Sequence, residues 1–358
     1  MIVKNNLDVQ SGVLNCSKLE LQKILIENGF PKFKADQIFI WLYRFGKTSF
    51  FDMSNIGKND QNTLEKLFYI YRPRIVDTKH SADGTIKFLL ELSDQNTIET
   101  VFIPDTKRNT ICISSQVGCC VGCKFCNTGK AGFVRNLYTE EIVSQFLIVK
   151  DYLNLWQSDE RLSNIVFMGM GEPLFNHQNV LRAIENLMTD EKEGISRRKI
   201  TLSTSGVTDV LSQIIEKLQC RLAISLHAPN NEIRRKIMPI NNVHKIEDII
   251  SVCKAYTKYH EYMKITFEYL LLSGINDSKK DAEGLVELLS GINGKVNLLQ
   301  FNAWDGCDFE ASPEKTVLQF AQVLKNKGIT VSIRAKRGED IMAACGQLSS
   351  GIAQRTVI

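Results

Sequence analysis

The stretch GCCVGCKFCNTG, residues 118–129, places four of the chain's ten cysteines within eight positions. Cys119, Cys123 and Cys126 have the spacing C-x3-C-x2-C. Three thiolates so close together on one loop can bind one iron–sulfur cluster and leave one of its irons without a protein ligand. The spacing therefore predicts a cluster held by these three cysteines, with Cys120 outside it.

Zinc is the alternative interpretation of the same loop. Structural zinc sites are normally closed by four ligands, and no His or Cys is placed nearby in sequence to complete such a set. Phe125, directly before the last cysteine, is expected to shield a bound cluster from water. The iron–sulfur interpretation is therefore favoured.

The composition is that of a soluble globular protein, since 44% of the 358 residues are hydrophobic and 23% are charged. The chain begins without an apolar signal region and has no uninterrupted apolar run of about eighteen residues. We therefore expect a cytoplasmic protein without membrane contact. In that reducing compartment, clustered cysteines indicate metal or redox chemistry and not a disulfide scaffold.

The formal charge of +4 permits an acidic partner without requiring one. Basic groups at residues 196–199 (SRRK) and 234–236 (RRK) could contact phosphates. Taken alone, they are interpreted as solvated charges of loops or helix ends.

Strand and helix patterns alternate after Thr110, which predicts an α/β fold with a parallel sheet, open or partly closed into a (β/α)6 barrel. Amphipathic helix patterns lie between the strands, and the last of them ends in a capping glycine, Gly328. The predicted strands are residues 111–115, 164–170, 199–205, 221–227, 264–272, 295–301 and 329–335.

The chain is predicted to divide near residue 95 into an accessory domain (1–95), a core (96–348) and a tail (349–358). The accessory domain begins with helices, and Ser17 with Glu20 three residues later indicates an N-cap. Short antiparallel strands are predicted at the end of this domain, with a tight turn at Asp83–Gly84. A second helix is predicted to bury one face, formed by Ile38, Ile40, Trp41 and Tyr43.

Several core strands end in polar residues. In parallel α/β folds, ligands bind at the carboxyl ends of the strands. These ends therefore predict a pocket for a charged small molecule, with Glu172 available to an ammonium group and Asn302 to a ribose or carboxylate. The polar strand ends are GMGEP (169–173), STSG (203–206), SLHAP (225–229) and FNAW (301–304).

The three-cysteine loop and the GEP strand end resemble the radical S-adenosylmethionine (SAM) superfamily. More specifically, the chain resembles the RlmN/Cfr family of RNA adenine methyltransferases, and AISLHAPN is closer to the RlmN branch. The similarity runs from Glu99 to Leu348, and the helical start resembles the accessory domain of the family. The matching blocks are CISSQVGC, KFCNTG, FMGMGEPL, LSTSG, AISLHAPN and RGEDIMAACGQL.

The resemblance implies a reaction on carbon 2 of an adenine in 23S rRNA and tRNA. This carbon is electron-poor and cannot attack the methyl group of SAM directly, so a radical route is needed. One SAM would methylate a protein cysteine. A second would be cleaved by an electron from a [4Fe-4S] cluster to a radical that activates the S-methyl group. The implied partners are the RNA and an electron donor such as flavodoxin or ferredoxin, and the implied state is a monomer.

The resemblance also assigns roles to single residues. Cys345 would carry the methyl group, and Cys112 would release the methylated base by forming a disulfide with it. Glu99 would accept a proton from the base. The cluster would be bound by Cys119, Cys123 and Cys126. The SAM contacts would be Gly171, Glu172, Ser203, Ser225, Leu226, His227 and Asn302.

One position departs from the family pattern, because Ala303 and Trp304 stand where a proline is expected after the asparagine. Three alternatives remain open at the level of sequence. They are methylation of carbon 8 as in Cfr, a radical SAM reaction on a substrate other than RNA, and a zinc-stabilised RNA-binding module without catalysis.

Overall fold

The computed structural model describes residues 10–106, 108–158, 160–188 and 195–349. They belong to two units. The first comprises residues 1–74, 137–162 and 178–196, and the second comprises residues 75–136, 163–177 and 197–358. Apart from Ser349, the predicted tail 349–358 lies outside the described residues.

The described residues form fourteen strands and eleven α-helices. The strands are β1 (Ser11–Gly12), β2 (Phe68–Tyr69), β3 (Arg74–His80), β4 (Ile86–Glu91), β5 (Thr97–Ile103), β6 (Asn109–Cys112), β7 (Gln116–Gly118), β8 (Phe133–Asn136), β9 (Leu162–Phe167), β10 (Ile200–Thr204), β11 (Arg221–Ser225), β12 (Ile265–Leu271), β13 (Gly294–Gln300) and β14 (Thr330–Ile333). The helices are α1 (Lys18–Glu27), α2 (Lys34–Phe39), α3 (Lys58–Leu67), α4 (Asn127–Ala131), α5 (Thr139–Tyr152), α6 (His177–Met188), α7 (Thr208–Ile214), α8 (Asn231–Ile237), α9 (Ile246–Tyr259), α10 (Lys279–Leu288) and α11 (Glu314–Asn326). None of these helices is long and apolar enough to cross a bilayer.

In the first unit, α1 begins with the predicted N-cap. The Ser17 hydroxyl accepts a hydrogen bond from the Glu20 amide (3.2 Å), and the Glu20 carboxylate accepts one from the Ser17 amide (2.8 Å). Two amides that the helix itself leaves unpaired are thus satisfied at its first turn.

The predicted buried face of the second helix is only partly correct. Ile38 is fully buried, but Ile40 is 42% exposed and Leu42 occupies the core instead. The chain forms a π-helical turn over Ile40–Arg44, in which the Phe45 amide donates to the Ile40 carbonyl five residues earlier. A π turn holds more residues than an α turn, so the side chains after Phe39 are rotated around the helix axis.

The second unit is built on a ten-stranded sheet in the order β14-β13-β12-β11-β10-β9-β6-β5-β4-β3. The strands β9 to β14 pair in parallel with their neighbours along the chain. The α/β fold with a partial barrel is therefore confirmed. Every predicted core strand overlaps an observed one, with ends that differ by a few residues.

The antiparallel strands differ from the prediction. They were expected to form a small sheet before a boundary near residue 95, but that position lies in the β4–β5 hairpin. Strands β4 and β5 pair in antiparallel fashion, and Val101 of β5 pairs with Cys112 of β6. The hairpin thereby extends the sheet of the second unit, and the two units divide after Arg74.

Helix α8, which the sequence analysis did not assign, corrects the interpretation of the RRK group. Arg234 is fully buried and not solvated. Its guanidinium donates to the carbonyl oxygens of Ser205, Ser225 and Leu226, just where β10 and β11 end. A buried guanidinium must satisfy its donors, and here it does so by fixing the ends of two parallel strands.

We expect Arg234→Ala to lower the free energy of unfolding by about 3 kcal/mol, because it leaves several buried carbonyl oxygens without a donor. The neighbouring Arg235 is exposed, so Arg235→Ala is the matched control and should change the value by less than about 0.5 kcal/mol. Urea denaturation measures both. Equal effects of the two substitutions would contradict the anchoring role of Arg234.

Candidate active site

A cavity that is partly open to solvent lies within the second unit, and we call it the main cavity. It joins three of the four polar strand ends that the sequence singled out, those after β9, β10 and β11. From these strand ends and the cysteine loop (residues 118–129), its wall includes Cys119, Cys123, Cys126, Gly171, Glu172, Ser203, Ser225 and His227.

The cysteine loop is held by its backbone. The Cys119 amide donates to the Gly132 carbonyl (2.7 Å), and the Cys126 amide donates to the Cys123 carbonyl (3.1 Å). The three predicted cluster cysteines line the main cavity, whereas Cys120 is exposed and lies outside its wall. The geometry thus separates Cys120 from the other three thiols.

Burial raises the pKa of all three thiols above the ordinary range of a cysteine. The charges of Cys119 and Cys126 raise the pKa of Cys123 further. Three thiolates can therefore coexist here only beside a strongly cationic group, and a metal centre supplies such a charge. The donor set fits an iron–sulfur cluster.

A single metal ion fits less well. Among the described residues, no three or more His, Cys, Asp or Glu side chains are arranged to hold one ion. A cluster of several irons takes each thiolate on a different metal atom, so its ligands need not converge on one point.

Phe125 is buried, and its ring meets that of His227 edge-on at a centroid distance of 5.1 Å. The Phe125 carbonyl accepts a hydrogen bond from the indole nitrogen of Trp304 (3.0 Å), and Lys130 lies over the Trp304 ring. The departure at Ala303–Trp304 therefore supports the cysteine loop from the end of β13.

Glu172 is a buried carboxylate of the main cavity. Its oxygens accept hydrogen bonds from the amides of Leu174 (3.0 Å) and Ser205 (2.7 Å). Burial nevertheless raises the pKa of Glu172, so a cationic ligand group would stabilise the ionised form. Gly171 precedes it with a φ of +100°, and a Cβ there would lie 2.6 Å from Gln116, so the bend requires glycine.

His227 also adopts a left-handed backbone, with a φ of 57°. Such a conformation is uncommon for any residue other than glycine and often marks a functional site. Its Nδ1 accepts a hydrogen bond from the Leu270 amide (3.0 Å), so the neutral ring carries its proton on Nε2. Burial, and then the charge of Arg234, lower the pKa of His227 to about 3. The ring is therefore a neutral hydrogen-bond donor at pH 7.

Two predicted SAM contacts lie outside this wall. Leu226 is fully buried, and Asn302 lines a second, smaller cavity. The Asn302 amide nitrogen is 3.4 Å from the Cys345 carbonyl, while its buried Oδ1 has no partner among the described residues. Ser205, which the sequence analysis did not name singly, lines the main cavity with a buried hydroxyl that likewise lacks a partner among the residues described.

The segment Gly338–Ser349, which we call the C-terminal segment, carries Cys345. The side chain of Thr128, in the cysteine loop, donates to the Leu348 carbonyl (2.6 Å), and the Asn127 amide donates to the Gly346 carbonyl (2.7 Å). These bonds bring Cys345 to the wall of both cavities. Cys345, together with Leu299 and Arg334, therefore lies in the wall of both cavities.

Cys112, at the end of β6, is buried. Burial, and then the charge of Cys345, raise the pKa of Cys112 to about 12, while Arg334 lowers it. The approach of these two thiols to each other stays a prediction. All ten cysteines are free thiols in this structure.

Glu99 lies beside the C-terminal segment and is not part of either cavity wall. Its carboxylate pairs with the ammonium group of Lys87 (2.9 Å) and accepts a hydrogen bond from the Ser349 amide (2.8 Å).

Sequence analysis missed two charged residues of the main cavity, Glu268 and Arg334. The charge of Cys345 is the largest influence on Arg334 and raises its pKa. Arg334 directly follows β14, so the polar end of that last strand was a signal that could have identified it. Glu268 lies within β12, where no sequence signal distinguishes it from a structural residue.

The partial barrel, with three cysteines of one loop at its main cavity, defines a radical SAM protein. The sequence profile of the Radical SAM superfamily matches residues 113–289, and that of the "Ribosomal RNA large subunit methyltransferase N-terminal domain" matches residues 12–70. The chain belongs to the RlmN family of radical SAM RNA methyltransferases.

Family membership rests on full-length similarity. The chain is 44% identical to the "Dual-specificity RNA methyltransferase RlmN" of Phenylobacterium zucineum, over 93% of this chain and 89% of that protein. It is also 44% identical to the protein of that name from Rhodospirillum rubrum, over 94% of this chain and 80% of the relative. The crystal structure of a radical SAM methyltransferase from Sphaerobacter thermophilus superposes with a TM-score of 0.88 at 36% identity, covering 95% of this chain and 99% of that one.

These similarities confirm the predicted resemblance. They also remove two of the alternatives, a radical SAM enzyme that acts on a substrate other than RNA and a zinc-stabilised module without catalysis.

We expect the stability contributed by His227 to depend on pH. The folded state keeps His227 neutral down to about pH 3, whereas the unfolded chain takes up the proton below about pH 6.5. The contribution of His227 to the free energy of unfolding is therefore complete above pH 6.5 and is lost on acidification. Between pH 7.5 and pH 5 it falls by about 2 kcal/mol.

The substitution His227→Asn tests this, because Asn tolerates the left-handed backbone and does not titrate. The free energy of unfolding of the wild type minus that of the variant should fall by the stated amount between the two pH values. Urea denaturation measures it, and a difference that is independent of pH would contradict a neutral buried His227.

Proposed function

We propose that the chain methylates carbon 2 of an adenine in 23S rRNA and in tRNA through an S-methyl group on Cys345. The observation that carries this proposal is the position of Cys345, which adjoins both the main cavity and the second cavity. A group that moves a methyl from a cofactor to a base must reach both. The similarity to dual-specificity RNA methyltransferases supports RNA as the substrate.

The main cavity suits the cofactors of the family. Cys119, Cys123 and Cys126 would hold a [4Fe-4S] cluster. When bound, the cluster supplies an electron for the reductive cleavage of SAM, and this radical chemistry is what an electron-poor carbon requires. Residues of this cavity would hold SAM, with Glu172 facing its ammonium group and His227 donating from Nε2.

Asn302 is proposed as a contact to the C-terminal segment in addition to SAM, because its amide nitrogen is close to the Cys345 carbonyl. Leu226 is proposed to act through its backbone, since its side chain is fully buried.

The final steps fall to residues of the chain itself. After the methylene radical on Cys345 has bonded to carbon 2, the adduct holds one unpaired electron, and a bound, oxidised cluster would take up that electron. Glu99 takes the proton of carbon 2, and the electron pair of that C–H bond restores the aromatic base. The Cys112 thiolate then attacks the Cys345 sulfur. A disulfide forms, the carbon–sulfur bond breaks towards carbon, and the carbon takes up a proton to become the methyl group.

The remaining parts of the proposal concern the setting of the reaction. Two SAM molecules are used per turnover, a flavodoxin or ferredoxin donates the electron, and the cytoplasm keeps the thiols reduced between turnovers. The protein acts as a monomer. Residues 12–70 form an RNA-binding accessory region, and their match to an RNA methyltransferase N-terminal domain supports that role.

Mass spectrometry of nucleosides tests the proposal. The protein, purified anaerobically, is incubated with SAM, a reductant, and either a 23S rRNA fragment or a tRNA. The expected product in both RNAs is 2-methyladenosine. Formation of 8-methyladenosine would identify Cfr-like chemistry instead, and modification of one RNA only would refute dual specificity.

We expect protein purified anaerobically to contain about four irons per chain. Cys123→Ala should abolish iron binding, because it removes a thiolate that no neighbouring group of the loop replaces. Cys120→Ala is the matched control from the same loop and should retain the iron. Iron analysis and the brown colour report the result, and a colourless Cys120→Ala protein would contradict the assignment of the three ligands.

We expect Cys112→Ala to stop the reaction after the carbon–carbon bond has formed. The variant should still methylate Cys345 but cannot break the carbon–sulfur bond, so RNA should migrate with the protein on a denaturing gel. Cys345→Ala is the control, because it cannot form the bond and should show free RNA and no methyladenine. Normal turnover by Cys112→Ala would return Cys112 to a structural role.

A further inference from the structure

The register of strands β4, β5 and β6 places three functional groups on one face of the sheet. Lys87 is paired with Val101, and Val101 is paired with Cys112. Directly paired residues of antiparallel strands share a face, as do residues two positions apart on one strand. Glu99 therefore lies on the same face as Lys87 and Cys112 and is a diagonal neighbour of both.

Lys87 is buried at the centre of this arrangement. Its ammonium group lies 2.9 Å from Glu99 Oε1 and 3.0 Å from the Met342 carbonyl. The other oxygen of Glu99 accepts the Ser349 amide at 2.8 Å. The ion pair thus contacts the C-terminal segment on both sides of Cys345, three residues before it and four residues after it.

A buried ion pair is weak evidence for a stabilising role. Removing two charges from water costs free energy that their attraction repays only in good geometry, and apolar residues often replace such pairs without loss. The consequence of this pair is that it fixes the position of a side chain. It fixes the Glu99 carboxylate against the segment that carries Cys345, on the face that also carries Cys112.

We propose that Lys87 is a positioning residue for proton removal by Glu99. Lys87 holds the Glu99 carboxylate toward the C-terminal segment, so that the carboxylate is in place when the base has become bonded to Cys345. This inference rests on the proposed function, which gives Glu99 the role of proton acceptor. The steps before proton removal do not need Lys87.

The test uses the full-length protein with its cluster, incubated anaerobically with SAM, a reductant and the RNA. Lys87→Met should still methylate Cys345, but the fraction of protein covalently bound to RNA should rise severalfold and the yield of methyladenine should fall about tenfold. Lys87→Arg keeps the charge and should restore most of the yield. If Lys87→Met does not fold, Lys87→Gln, which is polar and uncharged, takes its place in the same comparison.

Asp340→Asn is the matched control. Asp340 ties the same segment to the β3–β4 turn, through the Ser81 hydroxyl (2.6 Å) and the Ala82 amide (3.2 Å), and it makes no hydrogen bond to Lys87 or Glu99 among those of the described residues. It should leave the RNA-bound fraction at the wild-type level. The inference would be overturned if Asp340→Asn raised the RNA-bound fraction as much as Lys87→Met does, or if Lys87→Met lost methylation of Cys345. Either result would mean that Lys87 only holds the C-terminal segment in place.

A double variant separates action through Glu99 from any other role. In a Glu99→Gln background, Lys87→Met should cause no further change in the RNA-bound fraction, because residues that act as one unit are not additive. A further change would overturn the inference. If Cys112→Ala accumulates no RNA-bound protein in the same assay, the proposed function itself fails, so the two failures are distinguishable.

Discussion

Burial of ionisable groups in one cavity is the constraint on which the second unit depends. Three thiols and the Glu172 carboxylate line a space in which burial opposes the charged form of each. The chain itself supplies positive charge through Arg334 in the cavity wall and through Arg234, which holds the ends of β10 and β11 and interacts electrostatically with Cys123 and Glu172. The negative charges of the three thiolates and of Glu172 are thus complementary to an iron centre and to the ammonium group of a ligand.

The C-terminal segment links this cavity to the antiparallel edge of the sheet. On one side it is bonded to the cysteine loop through Asn127 and Thr128, and on the other it is bonded to Lys87 and Glu99. Hydrogen bonds from rigid elements hold a reacting group more accurately than a free loop would. This explains why the hairpin β4–β5 belongs to the catalytic sheet and not to a separate domain.

The sequence predicted those features that local rules determine. The capping box of Ser17 is a contact within one turn, and the polar strand ends follow from the topology of parallel sheets. Features that need tertiary contacts were missed. Burial of Arg234 depends on carbonyl groups of two strands, the role of Lys87 depends on antiparallel register, and Asn302 faces a different cavity from the one expected. The buried face predicted for the second helix was partly wrong because the prediction assumed 3.6 residues per turn, whereas the chain forms a π turn after Phe39.

The electrostatics of the two reacting cysteines impose an order on the proposed reaction. In the free enzyme, burial and the neighbouring Cys345 both raise the pKa of Cys112, and Arg334 opposes them. A Cys345 sulfur that carries a carbon substituent is a neutral thioether and can no longer bear a negative charge. One of the two causes that keep Cys112 protonated then disappears, while Arg334 remains. Alkylation of Cys345 therefore makes the Cys112 thiolate easier to form than in the free enzyme, while burial, the larger of the two causes, still opposes it.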